Sequence, residues 1–426
     1  MNYTFLGSQT EGIDHGELTR TLHLYREQLA DVVAHKRTDA PEAALASLVD
    51  ETQRAFAHTV ADTLGPVTQV VVIGIGGSSV GVEAVYRALE GSDSPVLHVI
   101  DVLDHEQVEA VAHTLIHTPL EQIAICVISK SGSTAETLAN ADVLMTLLRP
   151  TFGEGLSRRV VCIGDCGTKL DRFASERGMH FVEMPKMVGG RYSIFTVVGL
   201  VPLALLRVPI DELLAGGIST LLELAPQEGE EVAMPALQAA LVRVVRMRTG
   251  DRVNVLFAEH ERLMGCVKWY EQLLAESLGK ETVQNGVSGV TGMVPVPMSP
   301  RELHSTAQLF LSGFPGVYTI FLGARTSFAS ASLTTSGFGG LIEISGARQY
   351  ERVRSAITEG VRAAYATHRR PHVCIDLAAL SPHEIGSFMA CAMIEVMYTA
   401  HTLSIDAFDQ PHVELYKKET RRILQS

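Results

Sequence analysis

The sequence predicts an α/β fold built from two doubly wound parallel sheets, and three observations carry that prediction. From residue 70, apolar runs of strand length alternate with segments of helical periodicity. Two polar, glycine-rich turns each stand between such a run and the helix after it, and the alternation starts again at Arg252. Strands alternating with helices form a parallel sheet covered on both faces, because each crossover lays its helix across the sheet.

Residues 70–75 read as the first strand. The turn Gly74-Ile75-Gly76-Gly77-Ser78-Ser79 follows, then a helix carrying Val82, Val85 and Leu89. A strand at 96–100, a helix at 108–115 and a strand at 123–128 come next; strands at 159–163 and 180–182, with a helix near Leu170 between them, close the first unit. The second unit opens with a buried strand at 253–258 and a helix carrying Leu263, Trp269, Leu273 and Leu274 to Glu276, stopping at Gly279. Further strands are expected at 318–322, 341–344 and 373–377, with long helices at 353–366 and 382–397. No sequence repeat joins the halves, yet the two can still share a fold.

Before the first unit, Leu24, Leu29, Val32 and Val33, then Ala46, Leu48, Phe56 and Val60 beyond a break at Pro41, read as surface helices packed on a core. Between the units lies an apolar helix at 194–206, kinked or started afresh at Pro202. The expected division is a helical segment at 1–65, a first α/β domain at 66–187, a connecting helical segment at 188–250, a second α/β domain at 251–400 and a helical tail at 401–426.

With 426 residues and 46% hydrophobic content the chain can bury a large core. No uninterrupted apolar run reaches the roughly 20 residues that span a bilayer, and no apolar leader precedes a cleavage site. The six cysteines sit mostly inside apolar patterns, as reduced core cysteines do, which points to the cytoplasm. Cys162 and Cys166 lack a second pair at ligand spacing, so no metal site is expected. A net charge of −13 excludes nucleic acid or an anionic membrane as the main partner. A small phosphate ester needs only a local cluster of donors.

The segment Ser129-Lys130-Ser131-Gly132-Ser133-Thr134-Ala135-Glu136-Thr137 could supply that cluster. It combines free N–H groups at a helix start, several hydroxyls and the Lys130 ammonium. Two readings stand here: an anion cradle, or a plain helix cap by Ser133 or Thr134. The turn at Gly74 echoes a dinucleotide fingerprint with Asp101 as its acid. Ser79, however, stands where that fingerprint needs glycine or alanine, so the turn is read as a second wall for a phosphate. Gly189 and Gly190 let the backbone come close to something over which Arg191 can reach. Ser299-Pro300-Arg301-Glu302 is a capping box that starts a helix bearing His304.

These pieces, with Glu276-Ser277-Leu278-Gly279-Lys280, Leu303-His304-Ser305 and Gln410-Pro411-His412-Val413-Glu414-Leu415-Tyr416-Lys417, occur in an order that resembles the phosphoglucose isomerase family. The resemblance runs from about Val70 to Lys418. It implies two sugar-isomerase (SIS) domains and the interconversion of glucose 6-phosphate and fructose 6-phosphate, as in glycolysis and gluconeogenesis, with no cofactor and no metal. Carried over position by position, Glu276 resembles the catalytic base, Arg191 the stabiliser of the enediolate, and His304 and Lys417 the ring-opening pair. Gly77, Ser78, Ser129, Lys130, Ser131 and Thr134 resemble the phosphate site, and Gln410 a substrate contact. The family also implies a homodimer whose histidine reaches the partner's site, and the chain's length resembles its compact bacterial members.

Leu278 and His412 depart from the family pattern, which has asparagine or an acid at the first and glycine at the second. The chemistry suits the residue types: a carboxylate can carry a proton between adjacent carbons, and a fixed guanidinium can stabilise the enediolate. An imidazole can protonate a ring oxygen near neutral pH. Two other uses of the same domain are set aside on sequence. A DNA-binding sugar sensor needs a basic helix-turn-helix segment, and an amidotransferase needs an N-terminal cysteine, absent from residues 1–50. An isomerase of the same fold acting on another sugar phosphate, such as mannose 6-phosphate, is the stronger alternative.

Overall fold

The computed structural model describes residues 1–6, 15–224, 235–284, 287–325, 331–344 and 349–425. In chain order the strands are β1 (Asn2–Leu6), β2 (Gln69–Ile73), β3 (Val96–Ile100), β4 (Ile123–Ile128), β5 (Val160–Gly164), β6 (His180–Glu183), β7 (Val253–Ala258), β8 (Glu281–Gln284), β9 (Val287–Val290), β10 (Val294–Met298), β11 (Val317–Ala324) and β12 (His372–Leu377). Strands β2, β4 and β5 are buried almost throughout, as continuous runs of Val, Ile and Cys demand of a sheet covered on both faces.

The first sheet is wholly parallel in the order β3-β2-β4-β5-β6. The winding therefore reverses between β2 and β4, and a crevice opens at their carboxyl ends. Both glycine-rich turns leave from those two ends. The second sheet, β1-β12-β11-β7-β10, winds its four parallel strands in the same way, with its reversal between β7 and β11. There the opening is filled. Arg362 donates to Glu259 Oε2 at 2.8 Å and to Asp376 Oδ1 at 2.6 Å, and a Cβ on Gly323 would stand 2.3 Å from Glu259 Oε2.

Four expectations are corrected. The amino terminus forms a strand, β1, antiparallel to β12, so the second sheet is mixed. The apolar run at 341–344 is not a strand: Leu341 ends the short 3-10 turn Phe338–Leu341 and is 82% exposed. Three apolar residues around Glu343 cannot by themselves decide between strand and surface loop, and β1 holds the edge beyond β12. The helix expected at 194–206 begins later, as Val197–Leu205 capped by the Thr196 hydroxyl, and it runs through Pro202 without restarting. Of the amino-terminal residues expected to pack inward, Leu29, Ala46 and Leu48 do so, while Leu24 and Phe56 face solvent.

One apolar core runs through both sheets. It is carried by the helices Val80–Leu89, Met264–Leu278 and Pro382–Thr402, the last buried along nearly its whole length. Helix Ile210–Leu221 crosses Pro382–Thr402 at backbone contact. A Cβ on Gly216 would lie 1.9 Å from the His383 oxygen, and one on Gly386 would lie 1.9 Å from the Leu213 oxygen. Inside this core Arg243 donates to Glu395 at 2.9 Å, Asn254 at 2.6 Å and Tyr270 at 2.9 Å, and Tyr270 donates in turn to Glu395. Among the described residues no helix is long and apolar enough to cross a membrane.

A buried charge left without its partner is costly, so Arg243→Met is expected to destabilise the fold by about 3–5 kcal/mol in urea denaturation. A loss below ~1 kcal/mol would show that Glu395 finds other partners.

Candidate active site

The helix Met264–Leu278 ends at Gly279, and its last turn carries Glu276 and Ser277 toward the first sheet. Arg191 meets them there. It lies in the 3-10 turn Gly190–Phe195, is only 2% exposed, and donates from Nε to Ser277 Oγ at 2.8 Å and from Nη1 to Glu276 Oε2 at 3.2 Å. Its Nη2 donates to the main-chain oxygens of Ala407 and of Asp409, the latter at 3.1 Å. Tyr192 OH lies 3.0 Å from the same Ser277 oxygen, and its ring packs on Phe408.

Glu276 has a second neighbour. Gln272, one helical turn earlier, donates from Nε2 to Glu276 Oε1 at 2.8 Å. The same Nε2 lies where a Cβ on Gly76 would come within 2.8 Å, so the carboxylate is held directly beside the first glycine-rich turn. Glycine is required at Gly76 for a second reason, its φ of +58°. Gly77 is closer still to its neighbour: a Cβ there would stand 2.0 Å from the Gly190 carbonyl carbon and 2.4 Å from the Arg191 nitrogen. The two glycine segments thus touch backbone to backbone, and that contact fixes where Arg191 starts.

The second turn lies alongside. A Cβ on Gly74 would touch both Ser78 Cβ at 2.7 Å and the Ile128 oxygen at 3.2 Å, so the ends of β2 and β4 bring Ser78 next to the loop at Ser129. Thr134 stands at the cap of helix Ala135–Phe152 but makes no capping bond; its hydroxyl lies 2.8 Å from the buried Ser129 hydroxyl instead. The helix start is left without a side-chain cap, which is what an anion-binding terminus requires. Ser131 is exposed and accepts from the Ser133 amide and hydroxyl. Lys130 is half-buried and donates to the Lys186 and Val188 oxygens, anchoring the segment before Gly189, and burial pushes its pKa down. Ser78 makes no side-chain hydrogen bond among the described residues.

Lys280 follows the end of the helix Met264–Leu278. It is buried and donates to Asp409, from Nζ to Oδ1 at 2.7 Å and to the main-chain oxygen. Arg191 and Lys280 together clamp residues 407–409, and half-buried Gln410 follows them in the chain. His304 and Lys417 are not gathered in. His304 ends the capped 3-10 turn Pro300–His304, is exposed, and makes no hydrogen bond to Glu276; the capping box of Ser299 and Glu302 is present, but it starts one turn rather than a full helix. Lys417 lies on helix Val413–Leu424 and pairs with Glu414 at 2.8 Å.

The chain matches the phosphoglucose isomerase family over residues 31–310, well over half its length. It belongs to that family. Among curated relatives, a glucose-6-phosphate isomerase of Thermus thermophilus is 31% identical over 84% of this chain and 84% of its own. One from Carboxydothermus hydrogenoformans is 30% identical over 83% and 78%. Among solved structures, a hypothetical protein from Thermus thermophilus superposes with a TM-score of 0.83 at 27% identity, covering all of both chains. A glucose-6-phosphate isomerase from Chlamydia trachomatis, 20% identical, shares the fold with a TM-score of 0.77 over 99% of this chain and 88% of its own. As a phosphoglucose isomerase family member the chain contributes partners that sequence reasoning had given no role: Gln272, Ser277, Lys280 and Asp409. Gln272 could have been found from its i−4 spacing to Glu276; the carbonyl clamp at 407–409 leaves no side-chain signal.

Gly77→Ala forces the turn away from Gly190, so it is expected to cost about 1–3 kcal/mol in urea denaturation and to weaken inorganic phosphate binding. Parent-like values for both would show that the backbone contact positions nothing.

Proposed function

We propose that the protein interconverts glucose 6-phosphate and fructose 6-phosphate through ring opening and a cis-enediolate, as an aldose–ketose isomerase of glycolysis and gluconeogenesis. One observation carries the reading: the Glu276 carboxylate and the buried Arg191 guanidinium face each other at 3.2 Å beside two glycine-rich turns at a sheet reversal. In this reading the phosphate sits between Gly77, Ser78, Ser129, Ser131 and Thr134 at the uncapped helix start, with Lys130 adding charge. The sugar's reactive carbons then lie over Glu276. Its carboxylate takes the proton from one carbon and returns it to the next, and Arg191 stabilises the negative charge that develops on the adjacent oxygen. Because Arg191 is already locked by four acceptors, it need not reorganise as that charge appears. His304 and Lys417 open the ring, and Gln410 contacts the substrate. In this reading the 426-residue chain resembles the compact bacterial form. Its six cysteines are all free, which fits a reducing cytoplasm.

The protein acts as a homodimer with shared sites. Two features support this. Within one chain His304 is exposed and away from the hydrogen-bond network of Glu276, and helix Val413–Leu424 has no buried residue while Leu415, Tyr416, Ile423 and Leu424 lie open to solvent. A two-fold axis would bring each histidine to its partner's carboxylate.

Glu276→Gln is expected to lower turnover by at least ~10²-fold while sugar-phosphate binding persists, because the amide keeps the shape but cannot accept the proton. Exchange of the C2 hydrogen with solvent should stop with it. Exchange at the parent rate would mean that another group is the base. Assays with glucose, mannose and glucosamine 6-phosphates, with and without chelator, separate this activity from one on another sugar.

His304→Ala and Glu276→Ala are each expected to be inactive, and an equal mixture refolded together should recover about a quarter of the parent activity, since half of randomly paired dimers carry one complete site. Recovery near zero, with mixed dimers present, would place His304 in its own chain's site.

A further inference from the structure

A cavity of about 730 Å³ lies on the first domain, between helices Ala135–Phe152 and Lys169–Glu176 and over the strands β4 and β5. Its walls are apolar: Val127 and Val160 from the sheet, Leu138, Ala141 and Met145 from one helix, Leu170 and Phe173 from the other. The two helices flank the same sheet face but leave this space between them. Phe173 is 45% exposed beside it. A volume of this size is in the range that holds small organic ligands, roughly 300–1,000 Å³, and an apolar wall of this kind is poorly hydrated.

The charged residues around the cavity are unevenly signed. Arg149, Lys169 and Arg177 stand at its edge against one carboxylate, Asp142. Arg177 lies over the Phe173 ring at 4.7 Å, and among the described residues none of the three cations is held in an ion pair. In a chain of net charge −13 a locally basic rim on an apolar cavity is complementary to one ligand chemistry, an anion with an apolar body. Gly132 of the Ser129–Thr134 turn lines the same cavity, so its inner wall is the back of the anion loop.

We propose that this cavity binds a small organic carboxylate with an extended apolar body, the body between the two helices and the carboxylate at the Arg149, Lys169 and Arg177 rim. The site is separate from Glu276 and Arg191 and does not depend on the isomerase reading. Arginine supplies a fork that pairs with both carboxylate oxygens, and the apolar walls supply the remaining affinity by removing the chain from water.

Isothermal titration with decanoate, below its micelle concentration, tests the site. The full-length protein is expected to bind one decanoate per chain saturably. Met145→Trp and Ala141→Phe, which fill the cavity from two positions, should each weaken binding by at least about tenfold. Arg149→Glu should weaken it about fivefold or more, and decanol should bind more weakly than decanoate, since both changes remove the charge complement. Circular dichroism and the thermal midpoint identify any variant that has lost its fold, and either filling variant alone suffices for the test. Absence of saturable decanoate binding, parent-like affinity in a folded filling variant, or equal affinity for decanol would overturn the proposal.

Discussion

A buried guanidinium has to be surrounded by acceptors or it destabilises the fold, and at Arg191 that requirement is met by three stretches of chain far apart in sequence. Glu276 and Ser277 come from the end of a helix in the second half, Ala407 and Asp409 from the segment before the last helix, and the arginine itself from the joint between the two sheets. The group that pairs with the Glu276 carboxylate is therefore also a point at which the halves are fastened. Its origin is fixed by a contact no side chain could allow, Gly77 against Gly190. Preorganisation of the site and cohesion of the fold are two descriptions of the same set of bonds.

Much of this was legible in the sequence, and the reason is local. Strands β3, β4 and β7 fall on the residues expected, because each is a short, mostly apolar run of strand length. Glu276 and Gly279 announce a helix end by their own spacing. What could not be read is what distant segments decide. β1 pairs along the edge that β12 offers it, and among the described residues the run at 341–344 joins no sheet. At the candidate site the glycines and Arg191 were visible as motifs, whereas the acceptors of Arg191 at 407 and 409 are main-chain oxygens, identical in every residue. Thr134 looked equally suited to capping its helix or leaving it open; only the position of Ser129 decides that.

The two sheets are wound alike, and the comparison between them explains why the site is where it is. A reversal of winding makes an opening at the carboxyl ends of two adjacent strands in both. In the first, small residues at Gly74, Gly76 and Gly77 keep that opening lined by backbone and hydroxyls. In the second, Arg362 with Glu259 and Asp376 closes it with three charged side chains around Gly323. The second half contributes to the site from elsewhere, through the end of the helix Met264–Leu278.

The clamp on residues 407–409 has a property of its own. Arg191 seizes carbonyl oxygens, so it measures how far along the chain a peptide group lies and is blind to the side chain attached to it. The segment after helix Pro382–Thr402 works as a ruler. The Asp406 carboxylate holds the turn by accepting from the Phe408 amide at 2.7 Å, and one residue inserted or removed would slide every carbonyl past the guanidinium. Variation in this family member is for that reason constrained in length before it is constrained in composition.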